Sequence, residues 1–292
     1  MPAFTITSTV NNLLRRGAHL IIVDSDLETW SMNVSLLEGQ HVQNVSGAIL
    51  THIFGLSGNI ARLIDIFDDS VSIIEDAAES LGAKFNADYC GTLGKAGIFS
   101  FYANKVITSG EGGAVVTNSQ DFSERLKYYR NLCFGPERFV HQDLGWNYRM
   151  STIQAALLIP QLERIPSIID YKTQIAMCYR QGLSNIAGIE YMPERTLESE
   201  NTYWVFPILV NHKCKMDRKT LQSRLAQMGV ETRRLFCPIH LQPYLQRYPY
   251  QLVGDMAVSE MFWEQGLYLP SGPGITMEEV NYVIDCLQII LN

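Results

Sequence analysis

Residues 97–118, GIFSFYANKVITSGEGGAVVTN, carry the pattern that decides the fold. Apolar residues predict one strand over 98–102 and a second over 114–117, and the glycine-rich turn at 110–113 leads into the second strand. Lys105 follows the first strand, beside its aromatic residues. A lysine that is partly desolvated at a sheet edge can have a lowered pKa and act as a nucleophile toward a carbonyl. An ordinary solvated loop lysine is the alternative that this stretch leaves open.

Upstream of this stretch, continuous apolar runs predict buried strands over 19–23, 46–51 and 71–74. Between the last two strands, the apolar residues of 60–67 recur at the spacing of one helix face. Strands that alternate with helices in this way are typical of a mostly parallel sheet covered by helices. The sequence therefore predicts an α/β fold.

The first residues predict a short helix before the first strand. Ser8 or Thr9 can cap its N-terminus. Gly17 follows the last helical residue, where glycine adopts a positive φ most easily.

A capping-box pattern opens a long helical stretch in the middle of the chain, because Ser151 is followed three residues later by Gln154. The apolar pattern continues toward Leu183. Pro160 and Pro166 lie inside this stretch, and each removes a backbone donor and crowds the preceding turn. We therefore expect a kink or a break rather than one straight helix.

Beyond about residue 182 the pattern changes to short strands and helices, which is typical of a small α+β unit. The predicted elements of this unit are strands over 203–210 and 230–236 and helices over 217–228 and 276–290. We therefore expect two domains. Residues 1–165 would form a large sheet domain, and residues 166–292 would form a linking helix and a small C-terminal domain.

The composition of the 292-residue chain excludes several classes of protein. Its 47% apolar content is too high for a disordered chain, and no apolar run reaches the length that spans a bilayer. A net charge of −7 without a basic block argues against binding to nucleic acid or to an anionic membrane. None of the six cysteines forms a Cys-x-x-Cys pair, so no metal site is predicted. Scattered cysteines without a secretory signal fit a soluble protein of the reducing cytoplasm.

Two carboxylates, Glu75 and Asp76, follow the strand predicted over 71–74. In open α/β sheets, ligands bind at the carboxyl ends of the strands. These two residues are therefore candidates for a site, while a helix N-cap or a loop acid is the alternative.

Longer motifs resemble a known family. They are IIEDAAESLGA (73–83), SFYANKVITSGEGGAVVTN (100–118), GWNYRMSTIQAAL (145–157), ETRRLFCPIH (231–240) and GLYLPSGPGITMEEV (266–280). Their order and sequence resemble the pyridoxal-phosphate-dependent nucleotide-sugar aminotransferases of the DegT/StrS type, most closely the perosamine and viosamine synthase branch. The resemblance implies the fold of aspartate aminotransferase, with the cofactor on the large domain and active sites at a homodimer interface. It also implies transfer of an amino group from glutamate to a 4-keto nucleotide sugar.

The resemblance implies roles for five residues near the cofactor. Lys105 would bind pyridoxal phosphate covalently and later move a proton between the cofactor and the substrate carbon. Asp76 would pair with the pyridine nitrogen and keep it protonated, and Glu79 would lie beside the ring. Ser100 would donate to the cofactor phosphate, and Asn147 would reach that phosphate from the partner subunit. A surface acid remains an alternative for Glu79, and an ordinary strand hydroxyl remains one for Ser100.

Three further positions match the family near the sugar nucleotide: His52, Arg233 and His240. A structural histidine with satisfied hydrogen bonds is the alternative for His52, and domain packing is the alternative for the other two. A related dehydratase branch carries histidine in place of Lys105, so the lysine favours transamination.

The chain departs from the family at its beginning. Family members carry an upstream segment whose Ser-Gly-Thr turn opens a helix that binds the cofactor phosphate. We expect this chain to lack that segment, and Ile6 stands where the family has an aromatic residue that stacks on the ring. A second hypothesis is therefore an incomplete enzyme or a non-catalytic partner subunit.

Overall fold

A computed structural model describes residues 1–39 and 44–291. Its α-helices run over Ser8–Arg15 (α1), Ile60–Ile66 (α2), Gln120–Arg130 (α3), Thr152–Leu162 (α4), Ile165–Leu183 (α5), Arg218–Gln227 (α6), Ala257–Gln265 (α7) and Met277–Leu291 (α8). Its strands run over Leu20–Val23 (β1), Gly47–Thr51 (β2), Ser72–Asp76 (β3), Lys84–Phe85 (β4), Asp88–Tyr89 (β5), Ala96–Ser100 (β6), Gly113–Val116 (β7), Ile189–Tyr191 (β8), Ser199–Glu200 (β9), Phe206–Val210 (β10), Arg233–Arg234 (β11), Tyr250–Val253 (β12) and Gly266–Leu269 (β13).

The sheet that carries the candidate site has the strand order β2-β3-β6-β7. Its first three strands are parallel, and β7 runs antiparallel to β6. The parallel strands β2, β3 and β6 therefore end at the same edge. The prediction for the third strand is wrong at its end, because β3 continues through Glu75 and Asp76. Both carboxylates are buried, so they belong to the strand rather than to the loop after it.

The break predicted in the long helical stretch is confirmed. Helix α4 ends at Leu162 and α5 begins at Ile165, so two helices replace one. Pro160 lies inside the last turn of α4, and Pro166 lies in the first turn of α5, where a missing N–H costs little. The capping box at Ser151 and Gln154 is also confirmed.

A second sheet, of order β11-β13-β10-β8, forms the antiparallel part of the C-terminal half. Helices α5, α6 and α8 contribute the buried residues that pack with it in one apolar core. The strand predicted over 203–210 begins only at Phe206. The reason is local, because Tyr203 has a φ of 51°, which a strand cannot continue.

Two pairings connect the halves of the sequence. Strand β1 pairs in parallel with β12, and β4 pairs with β9. Residues on both sides of the boundary expected at 165 thus share hydrogen-bonded sheets, and that boundary stays a prediction. Within residues 1–39 and 44–291, no helix combines the length and apolar character needed to cross a bilayer.

Candidate active site

Three of the residues selected from the sequence lie at the carboxyl ends of neighbouring strands. His52 directly follows β2, Asp76 is the last residue of β3, and Ser100 is the last residue of β6. The parallel arrangement of these strands brings their ends to one edge of the sheet, where open α/β sheets bind ligands. Periodicity predicts these three strands, but the strand predicted over 98–102 is wrong at both ends, since β6 runs over Ala96–Ser100.

Lys105 lies in the loop between β6 and β7. The loop closes on itself through hydrogen bonds from Phe101 N to Gly112 O, 2.9 Å, and from Ser109 N to Phe101 O, 3.0 Å. Val106 and Ile107, which follow the lysine, are buried and anchor the loop in the aromatic core beneath it. The loop therefore holds Lys105 at a defined position rather than in solvent.

The ammonium of Lys105 has two neighbours. Its Nζ lies 3.7 Å from Oε1 of Glu79 and 3.7 Å from the centroid of the Trp204 ring. The lysine side chain is only 12% exposed. A buried carboxylate and an aromatic face both attract a cation, so the alternative of a solvated loop lysine is wrong.

Glu79 and Trp204 are both held in place by contacts with Phe54. Oε2 of Glu79 accepts a hydrogen bond from the backbone N–H of Phe54, 3.0 Å. The Trp204 ring stacks on the Phe54 ring, and its Nε1 donates to the carbonyl of Asn104, 2.8 Å. Phe54 has a φ of 55°, an uncommon value that is typical of functional sites when a non-glycine residue adopts it.

Burial has a strong effect on Glu79. It raises the pKa of this carboxyl from its ordinary value to about 7, although Lys105 and the Phe54 N–H act in the opposite direction. The carboxyl side chain is 5% exposed. Near neutral pH, Glu79 can therefore gain or lose a proton next to the lysine amine, which a surface acid does not do.

Asp76 is 8% exposed and accepts two hydrogen bonds. The Thr9 hydroxyl donates to its Oδ2, 2.8 Å, and the Ala78 N–H donates to its Oδ1, 3.2 Å. No Lys, Arg or His in the described ranges forms an ion pair with it.

The expectation that Ser8 or Thr9 caps α1 is wrong. The N-cap is Thr7, which makes no side-chain cap bond, and the Thr9 hydroxyl donates to Asp76 instead.

A cavity of about 610 Å³ lies beside Lys105. Its walls include the side chains of Lys105, Trp204, Arg233, Tyr268, Lys172 and Ser271. The guanidinium of Arg233 pairs with Glu231 at 2.7 Å and is mostly exposed. The structure therefore places Arg233 in the same cavity as Lys105. A larger cavity of about 1120 Å³ lies between residues 82–86, 169–174 and 194–203, and none of the site residues selected from the sequence lines it.

The structure does not bring His52 or His240 into the 610 Å³ cavity. His52 is fully buried, with Nε2 2.9 Å from Glu75 and Nδ1 3.1 Å from the Ser57 hydroxyl. This geometry supports the structural alternative for His52. His240 packs against α7, where its Nε2 lies 3.0 Å from Oε1 of Glu260.

Asn147 and Ser100 retain free space around them. Asn147 is exposed in a segment that forms a β-bridge with Asn131, and it does not line the cavity of Lys105. The Ser100 hydroxyl accepts a bond from Tyr102 N, 3.3 Å, and donates to no group in the described part of the chain. Each is thus able to take a further partner.

Sequence reasoning missed Thr9, Trp204 and Lys172. Thr9 and Trp204 are distant in sequence from the residues they contact, so periodicity could not pair them. The only available signal for Trp204 was an aromatic residue at the start of a predicted strand. Lys172 interrupts the apolar face of a predicted helix, and this was a usable signal for a buried charge.

Comparison with known proteins identifies the family of this chain. The pattern of the DegT/DnrJ/EryC1/StrS aminotransferase family matches residues 1–288. GDP-perosamine synthase of Escherichia coli O157:H7 is 33% identical over 292 residues, which cover 99% of this chain and 77% of that protein. A solved aminotransferase of the family from Brucella abortus has a TM-score of 0.89 at 26% identity, over 100% of this chain and 78% of the other.

DesV of S. venezuelae gives a TM-score of 0.89 at 26% identity, over 99% of this chain and 77% of the other. These similarities confirm the α/β aminotransferase fold that the sequence motifs predict. They also confirm the resemblance itself. The chain belongs to the DegT/DnrJ/EryC1/StrS aminotransferase family.

Proposed function

We propose that this pyridoxal-phosphate-dependent aminotransferase moves an amino group from glutamate to a 4-keto nucleotide sugar. One observation carries the proposal. The Lys105 amine is held between the Glu79 carboxylate and the Trp204 ring, beside a cavity of about 610 Å³. That volume is in the range of pockets that enclose cofactor- and drug-sized ligands.

The residues at the sheet edge fit the cofactor. Asp76 is a buried carboxylate without a cation partner in the described chain, and a protonated pyridine nitrogen would supply that partner. The free hydroxyl donor of Ser100 would serve the phosphate, and the Lys105 amine would hold the aldehyde carbon. When bound, pyridoxal phosphate withdraws electrons from the bond that must break at the substrate carbon.

The residues around Lys105 prepare its amine for proton transfer. Glu79 can take a proton near neutral pH, so its charge next to Nζ is adjustable. The Trp204 ring covers one side of the amine and excludes water from it. Lys105 would then carry a proton at Nζ between the substrate carbon and the cofactor, which is the proton shift that transamination requires.

Two observations support a nucleotide sugar as the acceptor: the size of the cavity and the name of one relative. Glutamate is much smaller than the cavity, whereas a nucleotide sugar would extend from Lys105 to Arg233. GDP-perosamine synthase, at 33% identity, is named for a product of this class. We place the reaction in the cytoplasm, since all six cysteines are free thiols.

We also propose that the active form is a homodimer. Residues 139–162 carry a concentration of exposed apolar side chains, including Leu144, Tyr148 and Ile153. Exposed apolar surface of this kind is typical of an interface. Asn147 is exposed in this stretch, so a second copy seated on it would bury Asn147 at the interface, and from there we propose that it reaches the cofactor phosphate of the partner.

The proposed function is tested by titrating the purified chain with pyridoxal phosphate. We expect a saturable visible band from the bound cofactor, its bleaching by glutamate, and an equivalent bleaching by GDP-perosamine, since transamination is reversible. Lys105→Met should abolish the band and the reaction, because it removes the amine. Lys95→Met is the matched control, since Lys95 is exposed and its ammonium donates to the Ser72 hydroxyl, away from the cavity. A Lys105→Met variant that keeps the band and turns over glutamate would contradict the proposal.

A further inference from the structure

One helix holds one loop through three hydrogen bonds. The side chains of Tyr179, Lys172 and Tyr171 all lie on α5, and they donate to the carbonyl oxygens of residues 270, 271 and 275 at 2.7, 2.7 and 2.6 Å. The Ser271 hydroxyl also accepts the N–H of Phe206 on β10, 3.1 Å. The segment 270–275 is therefore fixed to the linking helix and to the small-domain sheet.

The same segment forms a wall of the catalytic cavity. Residues 269–273 line it together with Lys105 and Trp204, and Lys172 also lines it. This wall bounds the space into which a large ligand held at Lys105 would extend. Lys172 therefore connects α5 to the geometry of the site.

The charge of Lys172 is unusual for its position. The residue is 2% exposed, and in the described part of the chain its ammonium has the Ser271 carbonyl as its only hydrogen-bond partner and forms no ion pair. Burial lowers the pKa of the Lys172 ammonium to about 8. An apolar side chain of the same size would avoid this desolvation cost, so packing alone does not account for a lysine. A charged donor makes a stronger bond to a carbonyl than a neutral one.

We propose that Lys172 is a positioning residue of this transaminase, which holds the Ser271 carbonyl and so fixes the 269–273 wall against the nucleotide part of the sugar substrate. This inference rests on the proposed function. Both substrates would react at the same cofactor carbon, and the nucleotide part of the larger one would extend from there along the 269–273 wall. Displacement of the wall should therefore weaken binding of the nucleotide sugar and leave glutamate unaffected.

The test compares the two half-reactions of the cofactor-loaded enzyme, each followed by the absorbance of the cofactor. Glutamate and GDP-perosamine serve as alternative amino donors. In Lys172→Met, we expect the half-saturating concentration of GDP-perosamine to rise by about tenfold or more, which is the loss of one charged hydrogen bond. The maximal rate and the half-saturating concentration of glutamate should stay within about twofold of the wild type. Lys172→Arg keeps a charged donor and should recover most of the loss.

A general loss of folding would impair the reactions of both donors. The ratio of their half-saturating concentrations therefore separates a positioning role from a loss of stability. Lys95→Met is the control for removing a lysine away from the cavity. If Lys172→Met does not fold, Tyr179→Phe removes only the hydroxyl that donates to Pro270 O in the same wall, and it must show the same selective shift. If the half-saturating concentration of GDP-perosamine is unchanged, or if that of glutamate rises equally, this inference is overturned while the proposed function stands. A wild type that does not react with both donors overturns the proposed function, and this inference with it.

Discussion

At the scale of single residues, the charge of Glu79 depends on burial and on Lys105. Burial favours a neutral carboxyl, while the Lys105 ammonium favours the carboxylate, and the pKa of Glu79 rises to about 7 as the balance of the two. The Nζ of Lys105 lies 3.7 Å from the Glu79 carboxylate. A site with this property can change its protonation state near neutral pH with little free-energy cost.

The first prediction concerns the stability of the cofactor-free chain. The folded pKa of Glu79 lies above its unfolded value of 4.5, so the native state holds a proton that the unfolded state has released. This contribution to stability is present below about pH 4.5 and is lost as pH rises through about 7. Glu79→Gln removes the titration. Between about pH 5 and pH 8, we expect the variant to gain up to about 3 kcal/mol relative to the wild type.

Urea unfolding of both proteins at the two pH values measures this difference. Glu124→Gln, on the exposed helix α3, is the control for the loss of a carboxyl elsewhere. Parallel pH profiles for the wild type and Glu79→Gln would show that burial does not raise the pKa of this group.

The residues that the sequence could identify are those in continuous motifs. Lys105 and Asp76 each follow a predicted strand, and Ser100 lies within one, so the sheet brings them toward one edge. Thr9 could not be paired with Asp76, because 67 residues separate them and only the folded chain brings them to 2.8 Å. Trp204 is 100 residues from Asn104, to which it donates, and its position depends on the left-handed backbone at Tyr203.

At the scale of elements, Glu75 connects β3 to two neighbouring segments. Its Oε1 accepts the N–H groups of residues 93 and 94 at 2.7 and 2.6 Å, and its Oε2 accepts the N–H of Gly91 at 2.8 Å. Oε2 also lies 2.9 Å from Nε2 of His52. Burial raises the pKa of Glu75, but the hydrogen bonds from His52 and the backbone outweigh it and hold the pKa below its ordinary value. The turn after β5 approaches β6 so closely that a Cβ at Gly97 would overlap the carbonyl of Gly91.

We predict that Glu75→Gln destabilises the fold by about 2–4 kcal/mol at neutral pH. The amide can accept at one atom only, so at least one buried N–H loses its partner. Since the pKa of Glu75 is lowered in the folded state, its contribution is complete above the unfolded pKa and is lost as pH falls through the folded pKa. The difference between the two proteins should therefore shrink below about pH 4.

Chemical unfolding across this pH range tests the prediction. Ser72→Ala, at the other end of the same strand, is the control for a change in β3 that leaves the buried carboxylate in place. A wild-type-like stability of Glu75→Gln at neutral pH would contradict the structural role of the network.

Strand ends were harder to predict than strand positions, and the reasons are local. Glu75 and Asp76 look like loop residues in the sequence because they are charged, yet β3 continues through them since β2 and β6 supply partners on both sides. The strand predicted over 230–236 contracts to Arg233–Arg234, because only these two residues pair with β13. Hydrophobic patterns record burial, whereas strand ends depend on the neighbouring strand.

At the scale of the whole molecule, buried apolar residues come together from distant parts of the chain, whereas exposed ones are concentrated on α4 and the segment before it. The aromatic core beneath Lys105 includes Phe4, Phe54 and Phe262, which lie far apart in the sequence. Residues from the N-terminal and C-terminal parts of the chain therefore pack together below the site. On the outside, Ile153 and Leu157 lie one turn apart on α4 and are 77% and 53% exposed.

The last prediction is that α4 forms part of a homodimer interface. Burying Ile153 and Leu157 against a second copy would remove apolar surface from water, and a carboxylate at the same place would have to lose its hydration. Ile153→Glu should therefore convert a dimer into a monomer in light scattering and weaken the contribution of Asn147 to cofactor binding. Ile289→Glu is the matched control, because Ile289 is 72% exposed on α8, outside residues 139–162. A dimer that persists in Ile153→Glu, or a wild type that is monomeric at micromolar concentration, would contradict this prediction. Asn147 would then have no role in the site of a second copy.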